Sequence, residues 1–227
     1  MSDINENVID DVKAEDMPEW NELSVPPDDW IDPPKEDVDG DIFEDFFLSL
    51  TQEELALLVP LPYRVGLWMS EMDDRGGDEA DDAEIKVLES IVFEIAQDFC
   101  KSQFIQVIMQ WTLKNRPHWE NWHVNIDRVP EECRKVIWML SHKGADEKDI
   151  KSFQHTLLYI AVSVAMAFRE EEEESNLFSE IKSKILNIVG DNQIDYQKER
   201  LKNISKIEEK ALSCLSSYVG MDYKEVF

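Results

Sequence analysis

The feature that most limits the fold is the spacing of apolar residues after Leu50, which recur at intervals of three and four. That spacing places them on one face of an α-helix, whereas a half-buried strand needs strict alternation, and the chain contains no alternating run of useful length. Helix starts are marked too, for example by Thr51 with Glu54 three residues later, a capping box. The sequence therefore predicts an all-α fold, a compact helical bundle.

The longest apolar run is TLLYIAVSVAMAF, from Thr156 to Phe168. It is shorter than the ~20 residues needed to cross a bilayer, so it predicts a buried core helix and no transmembrane segment. The acidic N-terminus lacks the basic and apolar regions of a signal peptide. Cysteines 100, 133 and 214 form no CxxC pair. We therefore expect a cytoplasmic protein with reduced thiols.

Residue types at the ends of the apolar patterns predict where individual helices begin and end. We expect one helix over Tyr63–Met72, and a long one after a cap at Asp81 or Asp82. Gly144 predicts the end of another helix, because glycine favours the left-handed conformation found there. The last helix is expected from about Ile194 to Val219.

Residues 1–46 differ from the rest of the chain in composition. They hold seventeen carboxylates against two lysines, in a chain of net charge −27, and five of the nine prolines. Their small apolar area cannot offset the entropy of ordering, so we predict a disordered acidic arm ahead of a helical domain of residues 47–227. The charge repels nucleic acid and anionic membranes, and it favours cations or basic protein partners.

Large aromatic residues lie among the acids of this arm. They form a candidate docking motif that would anchor through its rings in a basic or apolar groove of a protein partner and be steered by charge. The candidate partner-binding residues are Trp20, Trp30, Phe43 and Phe46. The alternative is that the arm lies on the surface of its own domain, and the sequence leaves both interpretations open.

The segment EMDDRGGDEADDAE, Glu71–Glu84, combines eight carboxylates with two adjacent glycines. Hard divalent cations such as Ca²⁺ and Mg²⁺ take oxygen ligands, and a loop of this composition could supply them. The candidate ligands are Asp73, Asp74, Asp78, Asp82 and Glu84. Their spacing does not match an EF-hand, and the alternative is a solvated loop whose acids favour the start of the next helix. Apart from such an ion, no cofactor is expected.

Two parts of the chain share one pattern. YRVGLWMSEMDD with DDAEIKVLESIV, and YIAVSVAMAFREE with SKIEEKALSCLSSYVG, each pair an apolar helix carrying small residues with an amphipathic helix that starts with acids. Small residues allow two helices to approach closely. We therefore predict two related helical hairpins that cross in one core, with residues 169–192 as an insertion in the second.

The segments RVG…MSEMDD…DDAEIKVLESI and SCLSSYVGMDYKEVF resemble the TerB-like family of tellurite-resistance proteins. The resemblance is motif-like at residues 63–95 and 204–223. It implies a compact bundle of duplicated hairpins and a role in stress-linked or membrane-surface protein assemblies. By position, Asp73 and Glu84 fall on the family's acidic pair, although Asp74 stands where the family usually has glycine.

Motifs typical of catalysis are missing from the sequence. It contains no G-x-S-x-G, no Cys–His signature and no glycine-rich phosphate loop. We therefore expect a non-enzymatic protein-interaction module. The alternative function is a divalent-cation-responsive domain that uses the acidic segment 71–84.

The cation alternative makes a direct prediction. If the acidic segment binds a hard divalent ion, Ca²⁺ or Mg²⁺ should raise the melting temperature of the protein and a chelator should reverse the rise, because an ion bound only by the folded state stabilises it. The double variant Asp73→Asn with Glu84→Gln should lose the response. Identical melting curves with ion and with chelator would eliminate this function.

Overall fold

A computed structural model describes residues 44–72, 78–99, 102–167 and 204–226, and every regular element in those ranges is helical. The all-α prediction is confirmed. Residues 1–43 of the predicted arm and the predicted insertion 169–192 lie outside the described residues. Within the described ranges, no helix is long and apolar enough to cross a membrane.

In the described part of the chain, α-helices are joined by turns and by short helices of other types. Short 3₁₀ turns cover Arg116–Asn121, Ile126–Arg128 and Tyr223–Glu225, and a π-helical turn covers Ile95–Phe99. The α-helices are α1 Glu44–Leu48, α2 Gln52–Leu58, α3 Leu61–Ser70, α4 Asp78–Glu94, α5 Gln103–Lys114, α6 Val129–His142, α7 Glu147–Ala167 and α8 Lys206–Val219.

The first helices follow the cap signals of the sequence closely. At the start of α2 the backbone N–H of Glu54 donates to Thr51 Oγ1 at 3.2 Å, and the Glu54 carboxylate accepts from the Thr51 N–H at 2.7 Å. Pro62 lies in the first turn of α3. This helix covers Leu61–Ser70, so it is shifted by two residues from the predicted Tyr63–Met72. Helix α1 starts at Glu44, inside the segment expected to be arm.

The predicted start of the long amphipathic helix is wrong. Helix α4 begins at Asp78, so residues 78–84 are helical and do not belong to a loop capped by Asp81 or Asp82. Carboxylates in the first turn interact favourably with the positive end of the helix dipole, which explains why so acidic a stretch is helical. Residues 73–77 lie outside the described residues.

Gly144 ends α6 as the sequence predicts. It adopts φ +82°, and its N–H donates to the Ser141 carbonyl at 3.3 Å while the N–H of Ala145 donates to the Leu140 carbonyl at 3.0 Å. This pair of bonds is a Schellman motif, which satisfies carbonyls that the helix end leaves without partners. Helix α7 then starts at Glu147, with Asp146 accepting from the Lys148 N–H at 2.8 Å.

The last helix is shorter than predicted. Its start is Lys206 and not about Ile194, because Ser205 is an extended N-cap whose hydroxyl accepts from the Glu208 N–H while Glu208 accepts from the Ser205 N–H. The sequence signal S-x-x-E at Ser205–Glu208 is the same capping box as at Thr51. Residues 194–203 lie outside the described residues.

One hydrophobic core unites the predicted hairpins. Helix α3 packs against α4 and α7, and α7 also packs against α4 and α8. Trp68 of α3 and Val164 of α7 are 5% and 0% exposed and belong to the same buried cluster. The core segments of both hairpins therefore meet in one bundle, with α7 near its centre.

The contact between α3 and α4 depends on the absence of a side chain at Gly66. A Cβ built there would lie 2.3 Å from one terminal methyl carbon of Leu88 and 2.7 Å from the other. Leu88 is fully buried, so its side chain has little free space into which it could move. The small residue predicted to allow a close helix approach does so at this position.

We predict that Gly66→Ala destabilises the fold by about 1–3 kcal/mol, the usual cost of overpacking a core, despite the better helix propensity of alanine. In a Leu88→Ala background, which removes the methyl groups in question, the same change should become neutral or stabilising. Denaturant unfolding of the four proteins in this mutant cycle measures both effects. An equal cost of Gly66→Ala in the two backgrounds would contradict the packing at this contact.

Candidate functional site

Phe46 belongs to the helical domain and not to an exposed arm. Its ring is half-buried and lies edge-on to Phe47 and Phe104, with centroids 5.4 and 5.7 Å away. Phe47 stacks on Phe104 at 5.4 Å and lies 4.8 Å from Trp111 of α5. These four rings, which we call the aromatic anchor, fix α1 to α5. Trp20, Trp30 and Phe43 lie outside the described residues.

The candidate cation ligands are only partly described. Asp73 and Asp74 lie outside the described residues, whereas Asp78 and Asp82 are in the first turns of α4. Glu84 is further along the same helix and 8% exposed, so its carboxylate is part of the folded domain and not of a solvated loop. The described residues contain no cluster of three acidic, histidine or cysteine side chains that could hold a metal ion.

A buried ion pair connects α3 to α6. The Arg64 guanidinium donates two hydrogen bonds of 3.0 Å to the Glu132 carboxylate, and both residues are less than a tenth exposed. Burial raises the pKa of the Glu132 carboxyl, and the positive charge of Arg64 opposes that shift. The planar guanidinium donates both hydrogen bonds at once, and a pair with two such bonds is stronger than a pair with one.

The same guanidinium also organises the chain before α6. It donates to the carbonyls of Trp122, Val124 and Asn125, the last two at 3.0 and 3.3 Å. Asn125 has φ +54°, a left-handed conformation that asparagine tolerates better than most residues. One buried side chain therefore donates to a carboxylate and to three backbone carbonyls.

Three of the four tryptophans between residues 111 and 138 are core residues. Trp111, Trp119 and Trp122 are at most 6% exposed. The Tyr63 ring stacks on Trp119 at 4.1 Å and lies edge-on to Trp122 at 5.9 Å. Trp119 Nε1 donates to the Thr112 carbonyl at 3.0 Å, so its indole is fixed in position.

A groove of about 390 Å³ lies beside this stack, between α4 and the end of α5, and we call it the α4–α5 groove. Its apolar part is formed by Trp119, Leu113 and Phe93, and Phe93 is 53% exposed although it is a large apolar residue. Lys86 and Arg116 contribute positive charge and Glu89 and Glu94 contribute negative charge, and Arg116 pairs with Glu89 at 2.9 Å. An exposed aromatic ring in a concave, partly charged surface is typical of a binding site.

A second cleft, of about 590 Å³, lies at the start of α7 and is lined in part by His155 and Ser152. Its polar groups are largely used within the fold. The Ser152 and Thr156 hydroxyls donate to carbonyls one turn earlier, and Lys151 pairs with Glu147. Burial lowers the pKa of His155, which interacts with the backbone of Val226 near the C-terminus. His155 therefore helps to hold the C-terminal turn against α7.

Sequence reasoning missed Phe93, Lys86 and Arg116. The signal for Phe93 was present, because it lies off the buried face that Leu88, Ile91 and Val92 define on α4. No local pattern, however, indicates that Arg116 approaches α4 from a position 27 residues after Glu89. Only the packing of α4 against α5 brings the groove together.

Comparisons with protein-family models, with curated proteins and with solved structures give no match for this chain. The resemblance to the TerB-like family therefore stays a prediction.

We predict that Arg64→Met destabilises the protein by about 3–5 kcal/mol, since removing one partner of a buried pair leaves the other charge uncompensated. The matched control is Arg116→Met, which breaks an exposed pair and should change the unfolding free energy by about 0–1 kcal/mol. Denaturant unfolding measures both, and hydrogen exchange should accelerate at residues 122–128 in the first variant alone. Similar effects of the two substitutions would contradict the structural role of Arg64.

Proposed function

We propose that this chain is a non-enzymatic protein-interaction module, in which the acidic, aromatic segment before α1 binds a protein partner. The observation that carries the proposal is the aromatic anchor, because Phe47 is 4% exposed and packed on Phe104 and Trp111. The acidic segment is joined to this anchor, so the point at which it leaves the domain is fixed. A partner that binds the segment would then be held close to the helical domain.

The chemistry of the segment supports the same function. Trp20 and Trp30 lie among carboxylates and prolines. Tryptophan is among the residues that contribute most to binding energy at interfaces, and clustered charge accelerates association with an oppositely charged partner. We infer a partner surface that combines an apolar pocket with basic residues. Phe46, whose ring packs within the domain, is not proposed as a partner contact.

The TerB-like resemblance supports a binding role as well, since it implies a function in protein assemblies. The proposal assigns no catalytic residue. Among the described side chains, the buried charges Arg64 and Glu132 are bonded to each other, and Arg64 also to backbone carbonyls, which is the arrangement expected for a structural role.

The decisive measurement is affinity for a partner purified with the tagged full-length chain from cells that express it naturally. Trp20→Ala with Trp30→Ala should weaken binding by about 2 kcal/mol or more, roughly 30-fold, as expected for hot-spot aromatics. Binding should also weaken with added salt, because charge steers the encounter.

Val8→Ala with Ile9→Ala is the matched control, because it truncates apolar residues of the same segment that lie outside the aromatic motif. It should leave the affinity unchanged. If the tryptophan variant binds every partner as tightly as the wild type does, the proposed binding segment is wrong. Equal melting temperatures of the three proteins would show that the helical domain is intact in each.

A further inference from the structure

Helix α4 presents four side chains of one stripe to the α4–α5 groove. They are Lys86, Ser90, Phe93 and Glu94, and their spacing of four, seven and eight residues from the first places them on one side of the helix. Lys86 and Phe93 are exposed, and the other two are half-buried. Among the described residues, Phe93 is the one aromatic side chain in the set of exposed large apolar residues. Burial of such a ring is a typical contribution to a protein interface.

The groove is locally neutral in a strongly acidic chain. Its cations, Lys86 and Arg116, are balanced by two carboxylates, Glu89 and Glu94, whereas the whole chain has a net charge of −27. At physiological ionic strength, charges on exposed surfaces are screened beyond about 8 Å. The charges close to a contact therefore decide whether two surfaces repel each other. Two copies of the chain can meet at this groove without the repulsion that their total charge implies.

The order of the charges along α4 makes the stripe complementary to itself. Lys86 and Glu94 are eight residues apart, about 12 Å along the helix axis, with Ser90 midway between them. If two copies of α4 pack antiparallel about a twofold axis at Ser90, the Lys86 ammonium of each copy lies opposite the Glu94 carboxylate of the other. A purely acidic partner would face two carboxylates here, and a purely basic partner would face two cations. A surface that is complementary to itself is what a twofold-symmetric interface requires.

Close approach of the two helices is possible at the axis. Ser90 is small, and its hydroxyl already donates to the Lys86 carbonyl at 2.8 Å, so it needs no partner across the interface. Phe93 is three residues further along α4, about 4.5 Å from the axis. Symmetry then places the ring of each copy opposite residues 86 and 87 of the other, beside the lysine methylene groups, which can cover apolar surface.

We propose that the α4–α5 groove is the interface of a homodimer, in which two α4 helices pack antiparallel across Ser90. Lys86 of each copy pairs with Glu94 of the other, and each Phe93 ring enters the groove of the other copy. The dimer carries two acidic segments, so a partner with two binding surfaces would be held more tightly by the dimer than by one chain.

Sedimentation equilibrium of the full-length protein at physiological ionic strength tests the interface. We expect a reversible dimer that dissociates on dilution. Lys86→Glu and Glu94→Lys should each weaken it roughly tenfold or more, because the twofold axis repeats each contact and like charges then face each other twice. A mixture of the two variants should restore association. In the mixed dimer, one chain contributes carboxylates at positions 86 and 94 and the other contributes lysines, so both pairs are attractive again.

Phe93→Ala should also weaken the dimer roughly tenfold, because each copy loses the apolar contact of its ring. Ile207→Ala is the matched control, since it truncates another exposed apolar residue, on α8, and should leave the dissociation constant unchanged. Circular dichroism checks that each variant is folded. Lys86 and Phe93 are exposed, so their variants decide the result alone if the half-buried position of Glu94 does not tolerate lysine.

A protein that stays monomeric at every concentration would overturn the proposal, and so would a dimer that Phe93→Ala leaves unchanged. A mixture of the two charge variants that associates no better than either variant alone would overturn it as well. The dimer does not depend on the proposed partner of the acidic segment, because it is measured on the purified protein. Dimerisation and partner affinity therefore succeed or fail separately.

Discussion

The arrangement of the helices depends on the hydrogen bonds that the buried Arg64 guanidinium donates. It joins α3, near the centre of the bundle, to Glu132 of α6 and to three carbonyls of the connecting segment Trp122–Asn125. Burying a charge is costly unless partners compensate for it, and each nitrogen of this guanidinium donates to an acceptor. This side chain therefore helps to fix the position of α6, on which α8 packs.

Aromatic packing extends this arrangement towards the surface. Tyr63, next to Arg64 in sequence, stacks on Trp119, and Trp119 forms part of the α4–α5 groove. Burial raises the pKa of Tyr63 to about 12. On another part of α5, Phe47 stacks on Phe104 and fixes α1. The groove and the aromatic anchor therefore both include residues of α5.

Charge is distributed unevenly along the chain. Seventeen of the fifty carboxylates precede residue 47, where only two lysines offset them. In the α4–α5 groove, by contrast, the two cations Lys86 and Arg116 are balanced by Glu89 and Glu94. Such a charge distribution favours attraction between the acidic segment and a basic partner.

Interactions within a few residues were predictable from the sequence, because helix periods and caps are local. The all-α fold, the capping box at Thr51–Glu54 and the end of α6 at Gly144 all follow from such patterns. The start of α4 was not predictable, since the same carboxylates suit a solvated loop and the first turn of a helix. No local sequence pattern indicates the ion pair between Arg64 and Glu132, which are 68 residues apart, or the packing of Phe46 on Phe104. The sequence by itself thus determined that the fold is helical and where several helices are capped. Tertiary packing decided which side chains meet, because such contacts depend on how distant helices approach one another.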